Sequence, residues 1–293
     1  MNLTPYLIRG LATGGQFALV AIGYTMVYGI LKLINFAHGD LFMLSGIMMI
    51  YLAAAFPTMP MWVTILLMIA LTVFVGFAIE KCAYSPLRTA PRMSVMISAI
   101  GVSYLLQNLV CYITGGLAKQ FPEIPLISQS VRVFGVKDKL AVFISPLVAV
   151  ILMVVLVLII NHTKFGMSMR AVSKDFETAQ LMGVKINRVI SMTFIIGSFL
   201  AAVGALLYFV KNTGINHMAG STPGIKAFIA AVVGGIGSVP GAVVGALLIG
   251  VVESLAKAFG LADFSDVISF ALLIIILVIK PTGLFGEKTT EKV

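Results

Sequence analysis

The stretch AVFISPLVAVILMVVLVLII, residues 141–160, is followed directly by the charged stretch NHTKFGMSMRAVSKDFETAQLMGVKINRV, residues 161–189. The first stretch contains no charged side chain, and about 20 apolar residues suffice for an α-helix to cross the hydrocarbon core of a bilayer. The second stretch carries basic and acidic residues at short intervals, and the chain then becomes apolar again. This alternation predicts membrane-spanning helices joined by a charged loop.

Similar apolar runs occupy most of the chain. With Ala141–Ile160, the candidate spans are Tyr6–Ile30, Leu41–Phe56, Met61–Ile79, Val95–Thr114, Ile190–Val210, Ala242–Phe259 and Val267–Ile279. Residues 214–241 have room for one more short or re-entrant helix. Because the runs are continuous and do not alternate, they favour helices over barrel strands. The sequence predicts an all-α, polytopic transmembrane helix bundle of about eight to nine spans. It shows no evident internal repeat or low-complexity linker, which predicts a single transmembrane domain over residues 1–293.

The composition supports this class. The chain is 60% hydrophobic and 11% charged, whereas soluble domains are about half apolar and a quarter charged. The net charge of +9 raises the question of nucleic acid. The basic residues, however, lie between the apolar runs, where they orient spans and contact anionic lipid headgroups. We therefore expect membrane lipid and no nucleic acid as a partner.

The basic loops predict the orientation. Lys81, Arg88 and Arg92 share one short loop, and residues 161–189 form the longest charged loop. Two crossings separate these loops, so they lie on one side, which the positive-inside rule makes cytoplasmic. The loop of residues 115–140 is then external, although it also carries basic residues, and the N-terminus is outside.

Motifs for catalysis and metal binding are missing from the sequence. It contains no nucleotide-binding loop motif and no Ser/His/Asp arrangement. The three histidines, His38, His162 and His217, and the two cysteines lie far apart, without metal-ligand spacing. We predict no catalytic residue, no metal site and no cofactor bound by this chain.

The charged loop has helical periodicity. An apolar stripe recurs at spacings of three and four residues, formed by Met169, Val172, Phe176, Ala179 and Met182. Gly183 is placed to end this helix. Such an amphipathic helix lies in the headgroup plane or docks into a cytosolic partner. The mixed signs of charge favour the partner.

Polar residues interrupt the apolar runs at two places. Residues 34–40 bring Asn35, His38 and Asp40 together between two runs. This segment is either a broken helix that forms a transport pathway or an interfacial turn in which Asp40 caps the next helix. In the fourth run, Ser98, Tyr104 and Asn108 share one face, which we expect to point inward, to a neighbouring helix or to the pathway.

Small residues recur at intervals of four. Examples are Gly10 with Gly14, and Gly241 with Gly245. This spacing lets helices approach closely in lipid, and it also permits sliding during gating. The candidate packing or gating glycines are Gly234, Gly235, Gly237 and Gly241. Glu253 lies four residues before Lys257, which predicts a local ion pair.

Several motifs resemble those of a known family. The pattern Gly166, Arg170-Ala171, Asp175, Glu177, Ala179, Gly183 is similar to the coupling loop of ATP-binding-cassette importer permeases. Residues 23–30 and 34–40 (GYTMVYGI and INFAHGD), 226–242 (KAFIAAVVGGIGSVPGA) and 280–286 (KPTGLFG) resemble motifs of the branched-chain amino acid permeases of these importers. Urea and short-amide permeases share much of this pattern.

The resemblance implies a transmembrane permease subunit in the cytoplasmic (inner) membrane of a prokaryote. It would move branched-chain or related amino acids into the cytoplasm by alternating access. The implied partners are a second homologous permease, two ATP-binding subunits that bind ATP and Mg, and an extracytoplasmic amino-acid-binding protein. The implied ATPase-coupling residues are Arg170, Asp175, Glu177, Ala179 and Gly183.

Two other classes of transporter remain open. An ion-coupled secondary transporter would carry a coupling carboxylate deep in a span, for which Asp40 and Glu253 are the candidates. A passive channel would need no charged docking helix.

The predicted orientation is testable with the two native cysteines. Cys82 lies beside the short basic loop and Cys111 near the opposite end of the next apolar run. In intact cells, an impermeant maleimide should leave Cys82 unlabelled, while permeabilised cells should show labelling of Cys82. Labelling of Cys82 from outside, with a Cys82→Ser control that abolishes the signal, would reverse the orientation.

Overall fold

Helices form most of the protein in the computed structural model, which describes residues 3–88, 90–133 and 135–286, apart from the side chain of Arg92. The long apolar helices are α1 (Thr4–Leu31), α2 (His38–Ala55), α3 (Met61–Ile79), α4 (Arg92–Thr114), α5 (Leu140–His162), α8 (Ile186–Phe209) and α10 (Val239–Ala258). The shorter helices are α6 (Lys164–Lys174), α7 (Phe176–Leu181), α9 (Ser221–Gly234) and α11 (Ser265–Ile279). A π-helical turn, Glu80–Tyr84, and a 3-10 turn, Ser85–Leu87, extend α3.

The predicted class is confirmed. In the described part of the chain, seven helices are long and apolar enough to cross a membrane, namely α1, α2, α3 with its extension, α4, α5, α8 and α10. Helices α9 and α11 are shorter apolar helices. The short helix expected within residues 214–241 is α9. The protein is a multi-pass membrane protein.

Helix α1 lies at the centre of the bundle, because glycines let α10 approach its backbone. A methyl group built on Gly14 would lie 2.7 Å from the Cα of Leu247, and one on Gly10 would lie 2.9 Å from the Cα of Val251. Between helices in lipid, small residues permit such close backbone packing. The packing role predicted from the four-residue spacing is therefore present at Gly10 and Gly14.

The helices form two halves that run in opposite directions. Helices α1 to α4 make the first half and α8 to α11 the second. Corresponding helices of the two halves make corresponding contacts. The packing of α1 on α10 matches that of α8 on α3, and the packing of α2 on α8 matches that of α9 on α1. Leu31 at the end of α1 and Ile186 at the start of α8 line the same cleft, so the halves enter the bundle from opposite sides. The sequence did not reveal this repeat, because apolar helices of unlike sequence satisfy the same packing positions.

Helices α2 and α9 begin inside the bundle. His38, the first residue of α2, packs on Gly23 of α1, which is eight residues, or about 12 Å of helix, before the end of α1. The segment 32–37 therefore turns back into the protein. In the second half, the segment after α8 pairs as β4 (Gly214–Ile215) with β1 (Lys119–Gln120) and then enters the bundle, where α9 begins.

The charged loop differs from the single helix that the sequence predicts. It forms two helices, α6 and α7, broken at Asp175, whose side chain accepts hydrogen bonds from the backbone N–H groups of Glu177 and Thr178. The predicted apolar stripe is consequently split. Of its members, Met169, Val172 and Ala179 are buried, whereas Phe176 and Met182 are exposed. The loop breaks at Asp175 because the preference of Asp for the N-cap position outweighs the continuous apolar periodicity. Gly183 ends α7 with a φ of 82°, as predicted.

The opposite end of the bundle carries a small hairpin, β2 (Ser130–Val133) with β3 (Val136–Lys139). Arg9 Nε of α1 donates to Asp138 Oδ2 at 2.8 Å. Partial burial alone would raise the pKa of Asp138, but the hydrogen bonds from Arg9 and from the backbone N–H of Lys139 hold that pKa below its usual value. The hairpin is thereby tied to α1.

The close packing of α1 on α10 predicts different responses at two helical glycines. Gly14→Ala should lower the stability of the detergent-solubilised protein by about 1–3 kcal/mol, because the added methyl group overlaps the backbone of α10. Gly101→Ala is the matched control on α4, since its methyl group would meet no atom within 4 Å. Thermal unfolding measures both variants, and equal transition temperatures would contradict this packing.

Candidate functional site

The starts of α2 and α9 meet backbone to backbone. A methyl group built on Gly39 would lie 2.9 Å from the carbonyl oxygen of Gly220 and 3.0 Å from the Cα of Gly224. These glycines are therefore needed for contact between the two elements rather than for an unusual backbone conformation. Non-helical backbone at membrane depth is tolerated where it is buried in protein or lines a wet cavity, and the two helix starts here are buried against each other.

Asp40 lies in the first turn of α2 and bonds across to α4. Its Oδ2 accepts from Ser103 Oγ at 2.5 Å, and its Oδ1 accepts from Gln107 Nε2 at 3.0 Å. Ser103 is about halfway along α4. The N-cap of α2 has no side-chain hydrogen bond, so Asp40 does not cap the helix as the interfacial-turn interpretation required.

Asn35 and His38 are buried behind Asp40. Asn35 Oδ1 accepts from the hydroxyl of Tyr84 at 2.7 Å. The His38 ring packs edge-on to Tyr24 with a centroid distance of 4.9 Å. Both side chains brace the start of α2. The structure therefore separates the three predicted pathway residues of this segment: Asp40 lines a cavity, whereas Asn35 and His38 pack around the start of α2. Their role in transport remains a prediction.

A cavity of about 170 Å³ lies between α1, α2, α4 and α9. Its polar side is formed by Asp40, Ser103 and Gln107, and its glycine-rich side by the start of α9. The remaining wall consists of Tyr24 of α1 and of apolar side chains, namely Ile34, Phe36, Ile225 and Phe228. This cavity lies where the two halves of the bundle meet.

The predicted inward face of α4 points the other way. Tyr104 and Asn108 are exposed in this chain, and Ser98 is half-buried, with its hydroxyl donating to the carbonyl of Ala83. The inward-facing polar residues are Ser103 and Gln107, which the sequence analysis missed. They precede Tyr104 and Asn108 by one residue, and one residue turns a helix by about 100°, so a polar run alone did not fix the rotation of α4.

A second candidate region surrounds α6 and α7. It lies at one end of the bundle, which we call the coupling face. A cleft of about 1220 Å³ there is lined by residues of the 80–90 linker, α7 and the start of α8. Both basic loops border this cleft, which confirms that they share one side. Arg170, Asp175, Glu177 and Gly183 are exposed and Ala179 is buried.

The start of α7 is held by Asp175. Its Oδ2 accepts from the Thr178 hydroxyl at 2.6 Å. Hydrogen bonds from the hydroxyl and the backbone N–H of Thr178 hold the pKa of Asp175 below its usual value, so its carboxylate is charged at neutral pH. Beyond the cap, Leu181 is 88% and Met182 81% exposed. A capped turn thus presents two apolar side chains beside charged ones.

The whole chain is similar to known transport proteins. The sequence model of a family described as branched-chain amino acid transport system / permease component matches residues 6–277. The chain belongs to this permease family. It is 38% identical to the high-affinity branched-chain amino acid transport system permease protein LivH of Salmonella typhimurium, over 98% of this chain and 96% of the relative. It is 40% identical to BraD of Pseudomonas aeruginosa, over 98% and 97%.

A solved structure, PsaBC from Streptococcus pneumoniae in complex with Fab, aligns with a TM-score of 0.46 at 12% identity, over 97% of this permease and 93% of that chain.

The permease contains a buried ion pair at the coupling face that sequence reasoning missed. Glu80 is fully buried and pairs with Arg88 of the linker that leads to α4. Its Oε2 also accepts from the hydroxyl of Ser191 in α8 at 2.8 Å, and Arg88 donates to Asn187. This cluster, the Glu80 cluster, connects the end of α3 and the linker to the helix that follows α7. A lone acidic residue at the end of a long apolar run was the available signal.

A second ion cluster joins α9, α10 and α11. Lys226 Nζ lies 3.0 Å from Glu253 Oε2 and 2.7 Å from Asp266 Oδ1. The predicted Glu253–Lys257 pair is also present, at 2.7 Å. Glu253 therefore has two cations nearby, and the local pair expected from the sequence is only part of its environment.

The glycine-rich segment after α9 forms a turn, and this turn packs against residues 285 and 286 at the end of the described chain. Gly234 and Gly241 approach each other too closely for any side chain, while Gly235 lies against Gly286. Phe285 donates its backbone N–H to the Gly234 carbonyl at 2.9 Å. At Gly237 the space is open, but its φ of 100° favours glycine. Packing accounts for Gly234, Gly235 and Gly241, and a gating role for these glycines remains a prediction.

The Glu80 cluster predicts a strong effect of one neutral substitution. Glu80→Gln should destabilise the permease by about 3–5 kcal/mol, because it leaves Arg88 without its buried counter-charge. Glu123→Gln, the same change at an exposed position, should alter stability by at most about 0.5 kcal/mol. Thermal unfolding in detergent measures both. Adding Arg88→Gln to Glu80→Gln should recover part of the loss, and no recovery would contradict the pairing.

Proposed function

We propose that this permease moves branched-chain amino acids into the cytoplasm as one subunit of an ATP-driven importer in a prokaryotic cytoplasmic membrane. The observation that carries the proposal is the similarity of 98% of the chain to proteins named as high-affinity branched-chain amino acid transport permeases. The cavity between two broken helices supports a transport role, since transporter sites form where discontinuous helices meet near the middle of the bilayer.

The proposed assembly has further subunits. Two ATP-binding subunits, which bind ATP and Mg, would dock on the coupling face at α6 and α7. A second homologous permease would cover part of the exposed apolar surface of α4 and α11, and an extracytoplasmic binding protein would deliver the amino acid to the opposite face. Catalysis of ATP hydrolysis is assigned to the partners and not to this chain.

The mechanism follows from how the coupling face is connected. A force on α7 reaches α8, which continues from it, and then the end of α3 through Ser191 and Glu80. Since α8 packs on α2 and α3, a shift of α8 changes the surroundings of the Asp40 cavity. Subunits that bind one arrangement of these helices more tightly than the other shift the equilibrium between them.

Reconstitution separates this proposal from its rivals. Vesicles that contain the permease, its partner permease and the ATPases should take up branched-chain amino acids only with ATP and the binding protein. Uptake driven by an ion gradient without ATP would indicate a secondary transporter. Equilibration of the amino acid across the vesicle membrane with neither ATP nor an ion gradient would indicate a channel. Uptake of urea or short amides in place of amino acids would reassign the substrate.

The two exposed apolar residues of α7 give a sharper test of docking. Leu181→Ser should weaken co-purification of the ATPases about fivefold or more, because a truncated contact residue at an interface centre costs over about 1 kcal/mol. Leu126→Ser is the matched control, since Leu126 is 73% exposed on the opposite face. Neither change should move the unfolding temperature of the isolated permease. Equal retention of the ATPases by the two variants would contradict docking through α7.

A further inference from the structure

Tyr84 lies between the coupling face and the segment 32–37, which leads into α2. It is the last residue of the π-helical turn, and it borders the cleft of the coupling face although it is only 2% exposed. Such π-helical turns are rare and occur frequently at functional sites. The other end of the turn is bonded to α8, because Glu80 accepts the hydrogen bond from Ser191. The turn therefore connects α8 with the region around α2.

The ring of Tyr84 packs on α8. Its centroid lies 5.0 Å from that of Phe194, which is buried. Ser191 and Phe194 are three residues apart, so they share one face of α8. Glu80 and Tyr84 thus contact the same face, one through a hydrogen bond and the other through an aromatic contact. Because protein interiors are close-packed, a shift of this face of α8 displaces the tyrosine ring as well.

The hydroxyl group of Tyr84 holds the segment before α2. It donates to Asn35 Oδ1 at 2.7 Å, and Asn35 is as deeply buried as Tyr84. The amide nitrogen of Asn35 has no hydrogen-bond partner among the described residues. The backbone carbonyl of Asn35 accepts from the N–H of His38, the first residue of α2, at 3.1 Å. A continuous path of contacts therefore runs from α8 through Tyr84 and Asn35 to the start of α2.

The segment that Tyr84 holds begins in a strained conformation. Lys32 has a φ of 53°, and in the described part of the chain no other residue besides glycine has a positive φ. The left-handed conformation is unfavourable for residues with a side chain, so it persists only where the surrounding structure holds it. Strained backbone of this kind occurs at switch regions. Loss of the bond between Tyr84 and Asn35 removes one of the contacts that hold the segment.

We propose that Tyr84 is a positioning residue for transport, which passes a movement of α8 at the coupling face to the start of α2. Its ring moves with Phe194, and its hydroxyl group moves Asn35 and thereby the helix whose first turn carries Asp40. Tyr84 itself does not line the cavity beside Asp40, so it acts through Asn35. This inference rests on the proposed function, in which ATP-binding subunits move the coupling face, and it assigns part of the transmission to one hydrogen bond.

The number of ATP molecules hydrolysed per amino acid imported tests this role in the assembled importer. Tyr84→Phe keeps the ring and removes the hydroxyl group. Uptake should fall about fivefold or more while ATP hydrolysis stays within about twofold, as expected for loss of one buried hydrogen bond on the path. The ratio of ATP to amino acid should therefore rise. A purely structural role would lower uptake and hydrolysis together, and an unchanged ratio would overturn the proposal.

Tyr51→Phe is the matched control. The Tyr51 hydroxyl donates to the backbone carbonyl of Ile113 at 3.2 Å, and this bond joins α2 to α4 without a contact to the π-helical turn. The variant loses one tyrosine hydroxyl, as Tyr84→Phe does, and should keep the ratio of the unmodified importer. An equal rise of the ratio in both variants would contradict a specific role of Tyr84.

A double variant tests whether Tyr84 acts through Asn35. Asn35→Leu removes the acceptor of the same hydrogen bond, so adding Tyr84→Phe to it should raise the ratio of ATP to amino acid no further. Two changes that act on one bond are not additive. A further rise of the ratio in the double variant would overturn the path through Asn35.

A reporter thiol measures the movement of the segment itself. The background variant carries Cys82→Ser and Cys111→Ser, and Phe36→Cys supplies one thiol next to Asn35, at a residue that is 39% exposed. The rate of modification by a small water-soluble thiol reagent should differ between the nucleotide-free importer and the importer with a non-hydrolysable ATP analogue. Tyr84→Phe should remove most of this difference. Equal rates in the two states with Tyr84 present, or a full difference without its hydroxyl group, would overturn the proposal.

A second variant keeps the test valid if Tyr84→Phe fails to assemble. Phe194→Leu leaves the hydrogen bond in place and removes the aromatic contact with α8, so the ratio should rise about twofold or more, and an unchanged ratio would overturn the proposal. If the unmodified importer showed no ATP-dependent uptake of branched-chain amino acids, the proposed function itself would fall. ATP-dependent uptake with an unchanged ratio in Tyr84→Phe would remove only the role of Tyr84.

Discussion

The contact of Gly39 with Gly220 and Gly224 is the constraint on which the rest of the structure depends. Lipid cannot satisfy backbone N–H and C=O groups, so a chain that turns at membrane depth must do so inside the protein. Two such turns occur here, before α2 and before α9, and they are accommodated because their backbones pack directly against each other. Any side chain at these glycines would separate the two helix starts and open the cavity between them.

The surroundings of this contact explain why it can hold. Helix α1 passes beside both turns, and its own glycines bring α10 into backbone contact. The bundle is thereby built around a tightly packed centre, with helices α4, α5 and α11 left largely exposed toward lipid or other subunits. The opposite running directions of the two halves place one re-entrant segment on each side of the centre. The cavity consequently lies at the boundary between the halves, where a relative shift of the halves alters it most.

Charge is distributed in accordance with this arrangement. Toward the coupling face, Glu80 is neutralised by Arg88, and at the other end Glu253 is neutralised by Lys226 and Lys257. Both ion clusters tie neighbouring helices together. Asp40 differs, because its described partners are neutral donors. Acidic side chains thus stabilise helix contacts at the ends of the bundle and form a polar site at its centre.

The sequence by itself determined the class of the protein, the positions of nearly all the helices, the shared side of the two basic loops and the end of α7 at Gly183. These features depend on local hydropathy, charge and turn chemistry, which a linear sequence carries. Only the tertiary structure decided that α4 turns Ser103 and Gln107 inward and Tyr104 and Asn108 outward. It further decided that Asn35 and His38 pack around the start of α2, whereas Asp40 lines the cavity. It also decided that Asp175 divides the charged loop, that Glu80 pairs with Arg88 and that two halves run in opposite directions. The reason is physical: in lipid, the apolar faces of a helix are nearly equivalent, so its rotation and partners are set by close packing and buried polar contacts between segments far apart in the chain.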